Sequence, residues 1–204
     1  MKIIIKDNFI SHPENIRQIA LRANLEAAWD SDGDFYDYVE TKVAMDVDKV
    51  NQQFSRIAGE NIYLMNSKFY TFNYYFKGAG VPTYVHHDDC DYIAIIYLSL
   101  SYQPEDGLSL YTHKPSGSQH HTELFLGNSL GSDMEANKSN YDLSLWEKYM
   151  FVHAKYNRLV FFEPLYYHAA SPGFGENVEE CRLAQVMYFV KENSPYFDEA
   201  CIVS

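Results

Sequence analysis

The chain predicts a mostly β fold with flanking α-helices, arranged as one jelly roll, on three observations. From Ile62 onward, short aromatic and β-branched runs are separated by Gly, Pro, Asn and Asp, the texture of an antiparallel sandwich or barrel. The two long helical segments both precede Gly59, with apolar residues recurring three and four apart. Aromatic residues make up 16% of the chain, 18 of them tyrosines, and rings pack well on half-buried pleated surfaces.

Taken in order, Ile3 to Ile5 reads as a strand, and Ser11-His12-Pro13-Glu14 starts a helix with a capping pattern and a proline suited to its first turn. That helix is expected to run from Pro13 to about Ala28. A second begins near Asp46, with Val47, Val50, Phe54, Ile57 and Ala58 on one side and Gly59 placed to end it. Strands are expected at Tyr63–Phe76, Thr83–His86, Tyr92–Ser101, Leu108–His113, Arg158–Phe162 and Arg182–Val190. Residues 113–157 are polar, too long for a hairpin loop, and read as a lid-like insertion with a short helix around Leu143 to Tyr149. The 204 residues fit a single domain, 1–204, with helical support in 1–60 and the jelly roll in 61–204. Asp30, Asp32, Asp34 and Asp37 read as a solvated loop, since the glycine and distal glutamate of a calcium loop are missing.

Composition removes several function classes. With 16 Lys and Arg against 28 Asp and Glu, the formal charge is −12, which repels phosphate backbones and anionic lipid heads, so neither nucleic acid nor membrane is an expected partner. The longest apolar run, Tyr92 to Leu98, falls far short of the ~20 residues that cross a bilayer, and Met1 to Lys6 is too short for a signal peptide's apolar region. The expected location is cytoplasmic. Cys90, Cys181 and Cys201 are odd in number and lack metal-site spacing, so they are expected to be reduced thiols.

The chemistry-bearing residues begin at Tyr84-Val85-His86-His87-Asp88-Asp89. Residues two apart on an extended chain face the same side, so His86 with Asp88, or His87 with Asp89, can converge on one metal. Alone, such a pair is a weak signal. Downstream, the apolar run Arg158–Phe162 leads to His168, and fourteen residues later Arg182 opens the last strand. Two imidazoles and one carboxylate cover one face of an octahedral ion and leave the other open, the pattern of non-haem Fe(II) oxygenases. A guanidinium in the same pocket grips a carboxylate bidentately.

With these pieces in sequence, the chain resembles the 2-oxoglutarate and Fe(II)-dependent dioxygenase superfamily, nearest its prolyl 4-hydroxylase-like branch and small microbial and phage relatives. The matching segments are Asp7-Asn8-Phe9-Ile10 with Pro13–Arg17, Val85–Asp88, Ile96–Ser99, Gly107–Lys114, Asn157–Phe161, His168 and Arg182-Leu183. The resemblance implies a double-stranded β-helix of the cupin-like kind, with Fe(II) held by His86, Asp88 and His168. It implies 2-oxoglutarate as co-substrate, its distal carboxylate on Arg182 and hydrogen-bonded by Tyr97, and O2 as oxidant. Tyr75 resembles a further pocket tyrosine, with Tyr74 competing for the role. His87 leaves the frame ambiguous: His86 with Asp88 is preferred, and His87 with Asp89 stays open. The implied reaction is hydroxylation of a C–H bond in a peptidyl or small-molecule substrate, with 2-oxoglutarate decarboxylated to succinate.

Ordinary readings stand beside these. A lone histidine such as His168 is more often structural than a ligand, and a lone arginine such as Arg182 more often a surface ion-pair partner; their joint, ordered occurrence favours the metal site. His113, His120, His121 and His153 match no ligand spacing. The aromatic run Phe69–Phe76 suits a strand packed on a core better than a stacking platform. The alternative from another class is a non-enzymatic jelly-roll binding or structural protein with a vestigial metal site. The oligomeric state is not legible in the sequence.

Overall fold

The computed structural model describes residues 1–29, 35–42, 45–65, 70–78, 84–121 and 140–197. Two antiparallel sheets face each other, and the helices cover the outside of the larger. In chain order the elements are β1 (Ile3–Lys6), α1 (Pro13–Arg22), β2 (Glu26–Trp29), β3 (Phe35–Lys42), α2 (Val47–Ala58), β4 (Ile62–Leu64), β5 (Tyr70–Tyr75), β6 (Tyr92–Tyr97) and β7 (Gly107–His113). A 3-10 turn at Leu143–Leu145 leads into β8 (Trp146–His153), followed by β9 (Leu159–Phe162), β10 (His168–Ala170) and β11 (Arg182–Lys191). The major sheet runs β1-β9-β6-β11-β5-β3-β2, with β4 also paired to β11; the minor sheet runs β10-β7-β8. No helix among the described residues is long and apolar enough to cross a membrane.

Strict alternation in the central strands divides two cores. In β6 and just beyond it, Tyr92, Ala94, Ile96 and Leu98 face the helices, packing with Phe54, Phe161 and Phe189. Ile93, Ile95 and Tyr97 face the minor sheet, with Leu108, Val152, Val160 and Phe162. A period of two on both faces is what a buried strand dictates, and each fully buried Leu, Ile or Phe contributes about 1.5–3 kcal/mol. In β11, Leu183, Met187 and Phe189 join the helical side while Ala184, Val186 and Val190 join the inter-sheet side. The parity places Arg182, and Tyr75 opposite it in β5, on the inter-sheet face. A third, smaller cluster of Val85, Tyr111, Trp146, Tyr167 and Ala169 forms around β7, the start of β8 and β10.

The second helix forms as its sequence dictates: Asp46 caps it by accepting from the Lys49 amide at 3.2 Å, and Gly59 ends it in the left-handed region at φ 76°. The first is anchored by Arg17, whose Nε donates to the Leu98 carbonyl at 3.1 Å and whose Nη2 donates to that of Glu179 at 2.7 Å. It stops at Arg22, not Ala28. Ala23 is extended, Asn24 competes with helical bonding through its side chain, and residues 26–29 pair with β3 instead.

Other boundaries also differ from the sequence expectation. Tyr63–Phe76 is two strands, β4 and β5, on successive stretches of β11. His86 contributes a single bridge, to His168, rather than a strand, and Thr83 lies outside the described residues. The expected helix at Leu143 to Tyr149 is a 3-10 turn running into β8, because β8 completes the minor sheet against β7. The second half of the 113–157 stretch is therefore sheet, and residues 122–139 lie outside the described residues. Residues 1–60 supply three strands besides the helices. Of the acidic cluster, Asp37 lies in β3 and Asp30, Asp32 and Asp34 fall outside the described residues.

β7 and β8 approach closely at Gly107, where a Cβ would sit 2.1 Å from the Val152 carbonyl oxygen and 3.0 Å from Phe151 Cζ. Gly107→Ala is expected to destabilise the fold by about 3 kcal/mol, the upper range for overpacking, read as a lowered urea midpoint. An unchanged midpoint would mean the strands separate at little cost.

Candidate metal centre

His86 and His168 are brought together by their backbones. Each amide donates to the other's carbonyl, at 2.9 and 2.8 Å, and the imidazole centroids lie 4.4 Å apart. The Nδ1 of His168 lies 2.8 Å from the Tyr166 carbonyl and that of His86 lies 3.4 Å from the Tyr84 carbonyl. A carbonyl oxygen only accepts, so the tautomer with its hydrogen on Nδ1 satisfies each carbonyl and is the one that leaves the Nε2 lone pair for a cation. Phe162 packs its ring edge-on against His168 at 5.0 Å.

Asp88 completes the group. Its amide donates to the Pro164 carbonyl at 3.1 Å, and its Oδ2 lies 3.1 Å from His168 Nε2 and 3.8 Å from His86 Nε2. Two bonds of about 2.1 Å meeting at one ion span such separations. Ligand atoms of His86, Asp88 and His168 all lie within 4.8 Å of one another, the one such group of three among the described residues. Burial pushes His86 down to about 4, assisted by His168 and opposed by Asp88. Burial alone would raise Asp88, but the His168 hydrogen bond and the nearby imidazoles hold it below the usual carboxylate range. At neutral pH both groups are thus in the form that ligates a cation.

The competing frame points elsewhere. His87 stacks on His121 with centroids 3.9 Å apart and planes 5° from parallel, and its partner Asp89 is 73% exposed. Of the remaining histidines, His113 bonds Ser116 at 2.8 Å, His120 packs edge-on to Tyr166, and His153 packs edge-on to Phe151.

Arg182 is 5% exposed at the start of β11. Its Nη1 donates to the Ser171 carbonyl at 3.0 Å, and its guanidinium lies 4.0 Å from the Tyr75 ring centroid. Its Nε is the one buried side-chain nitrogen or oxygen without a partner among the described residues, a donor aimed at an acceptor the protein does not supply. Ser171, whose carbonyl holds the guanidinium, follows β10 three residues after His168, so about 10 Å of extended backbone separates their Cα atoms.

Tyr97, 3% exposed, lies on the same face; burial pushes its hydroxyl up to about 12 although Arg182 pulls the other way, so it keeps its proton. Tyr74, the competing tyrosine, points into the helical core, where its hydroxyl donates to the Ala20 carbonyl at 2.8 Å.

Sequence reasoning missed three supports. Ser171 donates from its amide to Gly107 and accepts the Gly107 amide on Oγ, both at 3.0 Å. Tyr102 packs edge-on to Tyr97 at 5.7 Å while its hydroxyl accepts from the Ser99 amide at 2.9 Å. Tyr84 lies against His86 with centroids 4.5 Å apart. Only the last left a signal, as the residue two before His86.

No family model matches the chain, and no curated protein sequence matches it. Solved structures do match. HygX from Streptomyces hygroscopicus, solved with nickel, 2-oxoglutarate and hygromycin B bound, superposes with TM-score 0.56 at 12% identity over 94% of this chain and 83% of its own. SnoK, a non-heme alpha ketoglutarate dependent carbocyclase from nogalamycin biosynthesis, gives 0.56 at 12% over 92% and 78%. SnoN, an alpha ketoglutarate dependent epimerase of the same biosynthesis, gives 0.52 at 10% over 99% and 90%. At such identities the likeness speaks to architecture, and the chain has the double-stranded β-helix fold of these structures.

Proposed function

We propose that the protein is an Fe(II)- and 2-oxoglutarate-dependent dioxygenase that hydroxylates a C–H bond, with His86, Asp88 and His168 as iron ligands and Arg182, Tyr97 and Tyr75 binding the co-substrate. The observation that carries this reading is a pairing: three convergent ligand atoms, and a buried guanidinium whose Nε lacks an acceptor. A diacid carries one carboxylate for a cation and one for a guanidinium. The hygromycin B bound to HygX and the place of SnoK and SnoN in nogalamycin biosynthesis favour a small-molecule substrate over a peptidyl one.

With iron and 2-oxoglutarate bound, the site would use O2 to convert substrate C–H to C–OH while the diacid leaves as succinate and CO2. The chain's own residues position and screen. The Tyr166 and Tyr84 carbonyls fix both imidazoles with Nε2 inward. Arg182 neutralises the distal carboxylate and offers Nε as a donor, Tyr97 keeps a proton to donate beside it, and the Tyr75 ring covers the guanidinium against water.

Anaerobic addition of Fe(II) and 2-oxoglutarate tests the proposal: a visible charge-transfer band is expected, followed by succinate formation once O2 is admitted. No band would favour the alternative, a binding or structural jelly roll with a vestigial site. A second readout needs no turnover. Fe(II) or Ni(II) at about 100 times its dissociation constant should stabilise the fold by about 2.7 kcal/mol, raising Tm by roughly 5–10 °C for a domain of this size. An unmoved Tm would count against a metal centre.

A further inference from the structure

Two contacts restrain the Arg182 guanidinium, and they act differently. The Tyr75 ring, with its centroid 4.0 Å away, attracts the cation without regard to which nitrogen points where. The bond from Nη1 to the Ser171 carbonyl at 3.0 Å, its one hydrogen bond among the described residues, is directional. Because the donors of a guanidinium form a rigid planar fork, holding Nη1 also settles where the unpartnered Nε points. The place of the Ser171 carbonyl therefore sets the aim of that donor.

The carbonyl belongs to a short strap, residues 171–175, fastened to both sheets. Toward the minor sheet, the Ser171 amide donates to the Gly107 carbonyl and its Oγ accepts from the Gly107 amide, both at 3.0 Å. Toward the major sheet, Gly173 crosses the end of β5 so closely that a Cβ would sit 2.1 Å from the Phe76 carbonyl oxygen and 2.7 Å from the Tyr75 carbonyl carbon. The Gly175 carbonyl accepts from the Lys77 amide at 2.8 Å, and Phe174 packs edge-on to Tyr102, which packs edge-on to Tyr97. Among the described residues, the Ser171 hydroxyl makes the one side-chain hydrogen bond of this strap. Its loss would also leave the Gly107 amide without an acceptor.

We propose that Ser171 is a positioning residue for the co-substrate: its hydroxyl fixes the carbonyl that aims Arg182 Nε at the distal carboxylate. The inference rests on the oxygenase reading of the site. It gives one short stretch of chain two duties, since His168 offers a ligand atom to the cation and Ser171, three residues later, orients the group that meets the other end of the diacid. Partners that orient a binding side chain are typically worth 10–100-fold in affinity at metal centres, and a misaimed fork loses its bidentate match to a carboxylate in the same way.

Calorimetry under nitrogen on the full chain loaded with Ni(II) tests this with two probes, 2-oxoglutarate and oxalate. Both chelate a cation, and only 2-oxoglutarate carries a distal carboxylate. Ser171→Ala is expected to weaken 2-oxoglutarate binding about tenfold and to leave the affinities for Ni(II) and for oxalate within about twofold. With Fe(II) and O2, the KM for 2-oxoglutarate in succinate formation should rise by the same factor of about ten while kcat stays within about twofold, the pattern of lost uniform binding. Ser171→Thr keeps the hydroxyl and is expected to stay within about threefold of the wild type. Undiminished 2-oxoglutarate affinity in Ser171→Ala overturns the inference, as does a Ser171→Thr protein no better than the alanine variant. Equal weakening of oxalate, or loss of Ni(II) binding, makes Ser171 a residue of the fold and overturns it too. A wild-type protein that binds Ni(II) but not 2-oxoglutarate overturns the oxygenase reading and this inference with it.

Discussion

Arg182→Met is expected to raise the KM for 2-oxoglutarate by about 100-fold or more, measured by succinate formation, with little change in thermal stability. The affinity effect follows from losing charge-assisted hydrogen bonds to a carboxylate in a buried site, which together are worth about 3 kcal/mol, and each 1.4 kcal/mol is about a factor of ten. The stability effect is small for a separate reason. In the protein alone the guanidinium makes a bond to the Ser171 carbonyl and a stack on Tyr75 but leaves Nε unsatisfied. Removing a buried, incompletely paired charge offsets the lost contacts, and methionine refills the space against the ring. A KM unchanged in Arg182→Met would remove the co-substrate role, whatever the metal does.

The second large effect separates the two histidine frames. His168→Ala removes one of three ligands and is expected to lower Fe(II) affinity by more than about 100-fold, beyond the 10–100-fold typical of losing an outer partner of a ligand, and to abolish the charge-transfer band. His87→Ala is expected to leave both within about twofold, because His87 stacks on His121 and pairs with Asp89, whereas Asp88 meets the imidazoles of His86 and His168. Calorimetric titration with Fe(II) under nitrogen reads both variants. Loss of metal binding in His87→Ala, with His168→Ala unaffected, would reverse the frame.

Much of this site is legible in the chain because its parts are punctuated by strands. The alternation of Tyr92 to Leu98 and of Leu183 to Val190 announces buried strands before any pairing is known, and His168 and Arg182 stand at strand starts. The frame at His86-His87 is not legible locally, since both pairs satisfy the same two-residue spacing. It is decided by a bridge to a residue 82 positions away, His86 to His168. The same holds for β2 and β8. Leu25 to Ala28 and Leu143 to Tyr149 carry residues that helices accept, and only pairing with β3 and with β7 makes strands of them. Tyr74 and Tyr75 are adjacent and chemically identical. Which one meets Arg182 depends on the register Arg182 to Tyr75 across β11 and β5, a long-range property.

The proposed ligands and the proposed carboxylate anchors belong to different layers. His168 lies on the minor sheet, with His86 and Asp88 bonded to its margin, whereas Arg182, Tyr75 and Tyr97 rise from the major one. A diacid gripped at both tips would therefore act as a rivet through the sandwich. Breathing apart of the two layers would require letting go of one tip, so the filled molecule would be the stiffer one, and its stiffness would sit where the chemistry needs aim.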